Sequence, residues 1–379
     1  MNRRERLLAT LQGKPVDRTP VCFYEITGYG KDQDPANPDP FNIYSHPSWR
    51  PLLELAWEKS DIIPRRRVGF RHTPPDPLAE LTSVEEWIDD RGSRFQRTAI
   101  RAGSRTLSRL TRRDPDVNTV WTLEHLLKDE NDFRVWLDLP QAEFGGEPDI
   151  AAFLDVERDI GDRGLVLVDH SDAIREVASL FDMATFTVVA LTEEALMHRA
   201  LEKVQRLRLP QAEAITSALP GRLWRVVGPE YASPPYLPPR LFREYVTRYD
   251  RPLVEAIQRH GGFARIHSHG RLRDILDTIA ETGCLALDPI EPPPQGDVSL
   301  SFVRGKYGRQ MALFGNLEAS DLENLSEERF REKIATALRE GTAGEGRGFV
   351  LMPSACPYGR ELSRTALRNY ELMVEMVGA

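Results

Sequence analysis

The chain has 379 residues, 28% of them charged, and a formal net charge of −8, which is typical of a globular protein. The acidic balance argues against nucleic acid as the main partner, since phosphate binding requires a basic face. The sequence has no run of 18 apolar residues, no apolar secretory signal in "MNRRERLLATLQGKPVDRTP" and an odd, low count of three cysteines, so we expect a cytoplasmic protein without membrane span or disulfide framework.

The first predicted elements are a helix over 2–13 and a short strand over 19–26. Residues 28–50 are rich in Pro, Asp, Asn and Gly and predict a long loop, of the kind that often acts as a lid over an active site. Residues 80–160 mix strand-like and helix-like stretches in an order that the sequence does not reveal. Basic runs at 64–72 and 105–113 indicate solvated faces or helix ends rather than a polyanion site.

From residue 160 onward, predicted strands alternate with predicted helices. The strands cover 164–170, 222–230, 263–269, 284–290, 310–316 and 348–354, and the helices cover 192–209, 238–262, 272–283, 298–308, 326–341 and 362–377. This alternation predicts parallel βα units, and so many units in one series favour an α/β fold with a closed (β/α)₈ TIM-type barrel as a single domain over 1–379. The motif G-x-G-x-x-G follows none of these strands, which weakens the dinucleotide-binding alternative.

Polar side chains end each of these later strands. In a (β/α)₈ barrel the carboxyl ends of the strands meet at one mouth, where the chemistry takes place. We therefore predict a ring of polar groups around one pocket, formed by Asp169, His170, Glu230, Tyr231, His267, His269, Asp288, Glu291, Asn316, Glu318 and Cys356.

Within this ring, His267 and His269 are two positions apart, so in a strand both imidazoles point to the same side. Together with Cys356 they form a donor set that suits zinc with an open coordination position. The alternative is that the two histidines make hydrogen bonds at a strand end and that Cys356 is a small buried residue. Cys22 and Cys284 lie in apolar strands and are expected in the core.

The segment "LDPIEPPPQGDVSL", residues 287–300, carries a strand into a proline-stiffened turn. Asp297 is placed to cap the helix that follows. Glu291 has no such structural explanation and is a candidate ligand or acid. Asn316, in "FGNLE", is a candidate donor to a substrate oxygen, with an Asx-type turn as the alternative.

Four segments resemble the uroporphyrinogen decarboxylase superfamily, in order and from end to end. They are "RERLLATLQGKPVDRTPV", "LDPIEPPPQGDVSL", "YGRQMALFGNLE" and "CPYGRELSRTALRNYELMV". The resemblance implies a distorted (β/α)₈ barrel and one of two chemistries. True decarboxylases remove acetate carboxyls from a tetrapyrrole without a cofactor, whereas the cobalamin-dependent methyltransferase branch uses zinc beside a corrinoid protein.

Two departures from the family patterns bear on this choice. Decarboxylases carry an arginine-rich stretch after the first strand that clamps substrate carboxylates, but here "PVCFYEITGYG" contains no arginine. The methyltransferase branch carries a zinc motif of His-x-Cys with a distant Cys. The matching residues here are His267, His269 and Cys356, so a histidine replaces the middle cysteine, which still allows zinc binding.

The resemblance therefore predicts a zinc-dependent methyltransferase of the O-demethylase type. It would move a methyl group from a small, methoxylated donor to a corrinoid carried by a partner protein. The alternatives are a uroporphyrinogen decarboxylase-like lyase acting on a tetrapyrrole, and a barrel that binds a small molecule or metal without turnover. The identity of the donor stays open. The oligomeric state stays open as well, with a homodimer as one possibility. The predicted metal ligands are His267, His269 and Cys356, and the predicted catalytic residues are Glu230, Tyr231, Glu291 and Asn316.

Overall fold

A computed structural model describes residues 1–378 of the chain. Its helices are α1 Arg3–Gln12, α2 Arg50–Lys59, α3 Glu130–Asp138, α4 Ala151–Ile160, α5 Ala173–Ala178, α6 Met183–Thr192, α7 Glu194–Ala218, α8 Pro239–Phe242, α9 Arg248–Arg259, α10 Leu276–Ala280, α11 Leu300–Tyr307, α12 Ala319–Asn324, α13 Glu327–Gly341 and α14 Arg364–Val377. Its strands are β1 Arg65–Arg66, β2 Gly69–Arg71, β3 Thr82–Ile88, β4 Arg94–Ala102, β5 Arg105–Arg113, β6 Val120–Glu124, β7 Glu147–Asp149, β8 Leu167–Ser171, β9 Leu223–Val227, β10 Phe263–Ser268, β11 Ala286–Pro289, β12 Ala312–Leu317 and β13 Phe349–Pro353.

A curled parallel sheet forms the centre of the molecule. Within residues 1–378 it contains seven strands in the order β1, β8, β9, β10, β11, β12, β13, and every neighbouring pair is parallel. Helices connect successive strands, as the alternating pattern predicts. The chain therefore has an α/β fold that is compatible with the predicted TIM-type barrel.

The strand predicted over 19–26 is reduced to one parallel bridge between Val21 and Leu351 of β13. The Cys22 amide donates to the Leu351 carbonyl at 2.9 Å, and the Asp61 amide donates to the Val21 carbonyl at 2.7 Å. The segment thus lies between β13 and the residues that lead into β1. It does not extend into a strand because Tyr24 takes a φ of 58°, which lies outside the extended region. A closed ring of eight strands is accordingly a prediction that the seven described strands do not confirm.

The inner side of the curled sheet has an apolar layer at its amino-terminal end. Leu7 and Leu11 of α1 belong to this layer, so α1 covers that end of the sheet. The polar groups of the candidate site are therefore left to the opposite end. The strand residues and flanking positions in this layer include Leu165, Leu167, Leu223, Ala286, Ala312, Phe314, Val350 and Met352.

A second, antiparallel sheet accounts for much of the region whose order the sequence does not reveal. It consists of β3, β4, β5 and β6 in sequence order, so the basic run 105–113 is a strand rather than a helix end. Ile100 and Leu107 pack this sheet onto the main core. The short antiparallel pair of β2 and β7 joins the two ends of the insertion.

The long loop over 28–50 is present but is firmly packed. It contains 3₁₀ turns at Ile43–Ser45 and Pro47–Trp49, and Phe41, Ile43 and Trp49 are buried. The Trp49 Nε1 also donates to the Arg360 carbonyl at 3.0 Å. The loop is thus anchored to the segment after β13. Its role as a lid stays a prediction.

The prediction that Asp297 caps the following helix is wrong. Its Oδ1 accepts hydrogen bonds from the amides of Leu272 and Arg273 at 2.8 and 3.0 Å. Ser299 caps α11 instead, because that helix begins only at Leu300 and Asp297 lies too far upstream.

No helix within residues 1–378 has both the length and the apolar character needed to span a membrane.

The buried carboxylate of Asp61 ties three segments together. It accepts hydrogen bonds from Arg6 Nη1 at 2.7 Å, Arg18 Nη1 at 2.9 Å and the Val21 amide at 2.9 Å. Asp61 itself is fully buried. It therefore holds α1 and the 18–22 segment against the chain that enters β1.

We predict that Asp61→Asn destabilises the protein by about 3 kcal/mol, because neutralising one member of a buried ion pair leaves the other charge uncompensated. Urea unfolding followed by circular dichroism measures this change. Asp17→Asn removes a half-exposed partner of the same Arg6 and should cost about 1 kcal/mol or less. Equal effects of the two substitutions would contradict this account of Asp61.

Candidate active site at the carboxyl end of the sheet

The two histidines at the end of β10 lie side by side. His267 is the fifth residue of the strand and His269 follows its last residue. Their ring centroids are 4.7 Å apart and their planes are nearly perpendicular, at 87°. The structure thus brings the two predicted imidazoles to one spot.

A carboxylate holds each imidazole through its Nδ1. His267 Nδ1 lies 2.8 Å from Asp288 Oδ2, and His269 Nδ1 lies 2.8 Å from Glu291 Oε1. The second oxygen of Glu291 accepts a hydrogen bond from the Gly270 amide at 2.7 Å. Both rings are therefore fixed in orientation, and each leaves Nε2 for another partner. Carboxylates that bind Nδ1 in this way are the usual outer partners of metal-ligating and proton-transferring histidines.

Asp288 is fully buried and serves two cations at once. It is the cross-strand neighbour of His267 in the register of β10 and β11. Its Oδ1 lies 3.1 Å from Arg265 Nε, an ion pair without hydrogen-bond alignment. Burial raises the pKa of Asp288, but Arg265 and His267 more than offset this and lower it to about 2. The carboxylate is therefore ionised at neutral pH.

A second buried ion pair lies on the neighbouring strands. Arg225 Nε contacts Asp169 Oδ1 at 2.7 Å and Arg225 Nη1 lies 3.0 Å from the Tyr24 hydroxyl. Tyr24 in turn stacks on His267 with 6.1 Å between ring centroids. Nearby, Arg65 Nη2 contacts Glu25 Oε2 at 2.5 Å. The inner side of the sheet thus carries several cations, each with a carboxylate partner.

Sequence reasoning missed these inner arginines and their aromatic and acidic neighbours. The available signal was a charged residue in the middle of an apolar strand, as in "RLWRVVGPE" and "FARIHSH". Parallel strands are normally buried on both faces, so a mid-strand arginine must find a buried partner. The register shows this partner directly, because Arg225 is paired with Asp169 on one side and with Arg265 on the other. The missed residues are Tyr24, Glu25, Arg65, Arg225 and Arg265.

Two further carboxyls lie close to His269. Glu230, in the turn Pro229–Ala232, has a buried Oε2 without a hydrogen-bond partner within residues 1–378. Burial lowers the pKa of His269, but Glu291 and then Glu230 more than offset this, so that the pKa is raised. Burial and the charge of Glu291 raise the pKa of Glu318 to about 7. Its Oε2 lies 3.4 Å from Ser354 Oγ. Glu318 is therefore partly protonated at neutral pH and can supply a proton.

Behind Glu230 lies a pair of fully buried aspartates. Asp172 Oδ1 accepts a hydrogen bond from the Arg175 amide at 2.8 Å, while Asp172 Oδ2 and Asp250 Oδ2 have no hydrogen-bond partner among the described residues. Burial and the nearby charges of Asp250 and Glu230 raise the pKa of Asp172. Burial raises the pKa of Asp250 to about 8. Asp250 is therefore protonated at neutral pH.

The remaining predicted residues lie at different distances from this centre. Tyr231 packs against the core beside Glu230, and burial followed by the Glu230 charge raises its pKa. Asn316 lies on the wall of a separate cavity between Leu300 and α13. His170 points to the other side of β8, where its ring lies 5.7 Å from that of Trp224. In the described part of the chain, neither Asn316 nor His170 forms a hydrogen bond or ring contact with the two histidines.

The fit of the predicted zinc ligands is therefore mixed. The two imidazoles are suited to bind zinc, since carboxylates hold their Nδ1 atoms and their Nε2 atoms remain available as ligands. Cys356 is half-buried, and burial followed by the charge of Glu25 raises the pKa of its thiol to about 12, which disfavours the thiolate that zinc binds. Within residues 1–378, no three His, Cys, Asp or Glu side chains are gathered closely enough to hold a metal. The imidazole half of the site fits, and the thiol half does not in this conformation.

Comparison with known proteins shows the family of this chain. The family model described as Uroporphyrinogen decarboxylase (URO-D) matches residues 176–379, more than half of the chain. The chain belongs to the uroporphyrinogen decarboxylase family. The match covers the part of this chain that carries both histidines, their carboxylate partners, Glu318 and Cys356.

One solved structure supports the fold of this URO-D family chain. A methyltransferase from Methanosarcina mazei superposes with a TM-score of 0.61 and 16% identity, covering 100% of both chains. A putative vitamin-B12 independent methionine synthase from Listeria monocytogenes has a TM-score of 0.38 and 13% identity, covering 62% of this chain and 70% of its own, which is too weak to bear on the fold. No curated protein matches the sequence.

The buried aspartate behind the site generates a pH prediction. Because the pKa of Asp250 is raised in the folded state, its contribution to stability is complete below pH 4 and is lost as the pH rises through 8. We expect the free energy of unfolding of Asp250→Asn to exceed that of the wild type by at least about 1 kcal/mol at pH 8, so that the variant unfolds at a higher temperature there, and to match it near pH 4.

Thermal unfolding between pH 4 and pH 9 provides the measurement. The exposed Asp274 offers a matched control, and Asp274→Asn should follow the wild-type curve. The same difference in unfolding temperature between Asp250→Asn and the wild type at every pH would contradict the raised pKa of Asp250.

Proposed function

We propose that this chain is a methyltransferase that takes a methyl group from a small, methoxylated donor and passes it to a corrinoid on a partner protein. The observation that carries the proposal is the histidine pair, each ring oriented by a carboxylate at Nδ1 and presenting Nε2. Membership of the URO-D family and a fold shared with a Methanosarcina mazei methyltransferase support it. A cytoplasmic location is part of the same proposal.

The ion-paired arginines favour this proposal over decarboxylation of a tetrapyrrole. A polycarboxylate substrate needs cations that are free to pair with it. In this chain Arg65, Arg225 and Arg265 are engaged by Glu25, Asp169 and Asp288, respectively. The pairs of Arg225 and Arg265 are buried, so pairing either arginine with such a substrate would break a buried ion pair at a cost of several kcal/mol.

The chain's own carboxyls can assist the loss of the methyl group. A methyl ether is a poor methyl donor because its oxygen must leave with the bonding electron pair. As the methyl group passes to the corrinoid, that oxygen needs a proton or a positive charge. Glu318, with its pKa of about 7, is the group best suited to donate the proton, and Glu230 and Tyr231 are further candidates for the same proton transfer. Glu291 contributes by fixing His269.

Zinc belongs to the proposal as well. His267 and His269 would hold it through Nε2, and Cys356 is the third predicted ligand. Bound zinc would act as a Lewis acid on the leaving oxygen. What supports zinc in this chain is the pair of outer carboxylates, Asp288 and Glu291.

Metal content tests the zinc site directly. We expect about one zinc per chain in protein purified without a tag or chelator, and loss of the metal in both His267→Ala and Cys356→Ala. Elemental analysis is the measurement, and Cys284→Ala, a fully buried core thiol, is the matched control. Absence of zinc even after zinc is supplied would leave the histidines as proton-handling or structural groups and would favour a barrel without this chemistry.

The role of Glu318 is tested by the pH dependence of methyl transfer to reduced cobalamin. Because the acid must be protonated, wild-type kcat should fall as the pH rises through about 7. Glu318→Gln should lower kcat by about 10²-fold and abolish that decline. The exposed Glu323 on α12 gives the control, since Glu323→Gln should keep the wild-type profile. A Glu318→Gln variant with the wild-type pH profile would remove Glu318 from the mechanism.

A further inference from the structure

The strand β3 forms one outer edge of the antiparallel sheet. It pairs with β4 along its whole length, from Thr82 to Ile88, and among the described residues no strand lies on its other side. No other segment within residues 1–378 forms a backbone hydrogen bond with β3. Every residue from Ser83 to Ile88 is exposed. One row of backbone N–H and C=O groups on β3 is therefore open to solvent and free to pair with another strand.

This edge lacks most of the features that usually protect a free strand. β3 has seven residues, contains neither proline nor lysine, and pairs with β4 in an unbroken register without a bulge. All three of its large apolar side chains are exposed, Val84 by 58%, Trp87 by 37% and Ile88 by 61%. A long, regular and partly apolar edge of this kind is a typical place for a further strand to attach.

The charge of the edge favours one kind of incoming strand. Glu85 and Glu86 lie at the centre of β3 and, because side chains alternate along a strand, they point to opposite faces of the sheet. On β4, Arg97 lies opposite Glu85 without forming an ion pair with it, and Glu86 accepts a hydrogen bond from the neutral Gln96. An added strand would lie directly beside both carboxylates, whereas the arginine of β4 would be one strand further away. Two adjacent cations on the added strand would therefore meet one carboxylate on each face.

A second copy of this chain does not match the edge. If two β3 strands paired antiparallel over their full length, the two copies of Glu85 would lie directly opposite each other, and Glu86 would face Val84. Like charges in directly opposite positions destabilise a strand pair. The edge therefore fits a strand of opposite charge better than a strand of its own sequence.

We propose that the β3 edge docks an extended segment of another protein, which adds a fifth strand to the sheet and places two adjacent basic residues opposite Glu85 and Glu86. Backbone hydrogen bonds hold the added strand, and its apolar residues on either side of the basic pair cover Val84, Trp87 and Ile88. The proposal rests on the open edge and its charges and is independent of the methyl-transfer chemistry.

Two heptapeptides test the proposal on the full-length protein. The basic probe is fluorescein-Val-Thr-Lys-Lys-Val-Thr-Val-amide, and the acidic probe has two glutamates in place of the lysines. We expect fluorescence anisotropy to show the wild type binding the basic probe at least about tenfold more tightly, because two cross-strand charge pairs change from attraction to repulsion. In the double variant Glu85→Lys with Glu86→Lys, this preference should reverse.

Two controls separate strand addition from a general attraction of cations to an acidic protein. The double variant Glu323→Lys with Glu328→Lys changes the net charge by the same amount at exposed positions of α12 and α13, and it should keep the wild-type preference. A basic probe with prolines in place of both threonines has the same charge but lacks two of the N–H donors that a strand needs. It should bind at least about tenfold more weakly than the original basic probe.

Absence of binding by the basic probe, equal effects of the two double variants, or equal binding of the proline probe would overturn the proposal. The two glutamates would then serve only to guard the edge against unwanted pairing. Sedimentation velocity on the same protein examines the other occupant, and we expect Ile88→Lys to leave the sedimentation coefficient unchanged. A dimer that Ile88→Lys abolishes would make a second copy the occupant of the edge and would also overturn the proposal.

Discussion

The site depends on one constraint: a charge inside the curled sheet must have a partner there, because water does not reach it. Asp288 shows this most clearly, since it is fully buried and meets both Arg265 and His267. The pairing fixes the imidazole ring at the end of β10 and keeps the carboxylate ionised. The same rule joins Arg225 to Asp169. The interior of the curled sheet thus carries charges that neutralise one another in pairs.

Part of this arrangement could be predicted from the sequence, because it follows from local periodicity. Alternation within a strand put His267 and His269 on one side, and the strand–helix series put Glu291 and Glu318 at the same end of the sheet. The partners could not be predicted, since they depend on register between strands. Asp288 faces His267 only through the pairing of β10 with β11. Asp297 was assigned to the wrong helix because its true partners, at Leu272 and Arg273, lie on a neighbouring loop.

Prediction from the sequence was also limited by contacts between segments that lie far apart in the chain. Cys356 was grouped with the histidines on the assumption that all strand ends converge equally, yet its loop is held by a different set of contacts. Val117 of the insertion bridges Gly359, and the Arg360 amide donates to the Asp116 carbonyl at 2.8 Å. Trp49 of the 28–50 loop also donates to Arg360. The thiol's position therefore depends on three segments that the sequence pattern does not relate to one another. The single-domain prediction for 1–379 likewise stays a prediction.

The attachment of the antiparallel sheet has an evolutionary consequence. The insertion leaves and rejoins the barrel through the adjacent strands β2 and β7, where Gly69 pairs with Asp149 and Arg71 with Glu147. Everything between them, including Arg113, is covalently attached through this narrow stem and is otherwise held by non-covalent contacts such as the Val117–Gly359 bridge. Recombination at the stem could exchange the whole insertion without altering the parallel strands or the histidine pair. Related proteins could thus acquire new ligand preferences by replacing one module while the histidine pair is inherited unchanged.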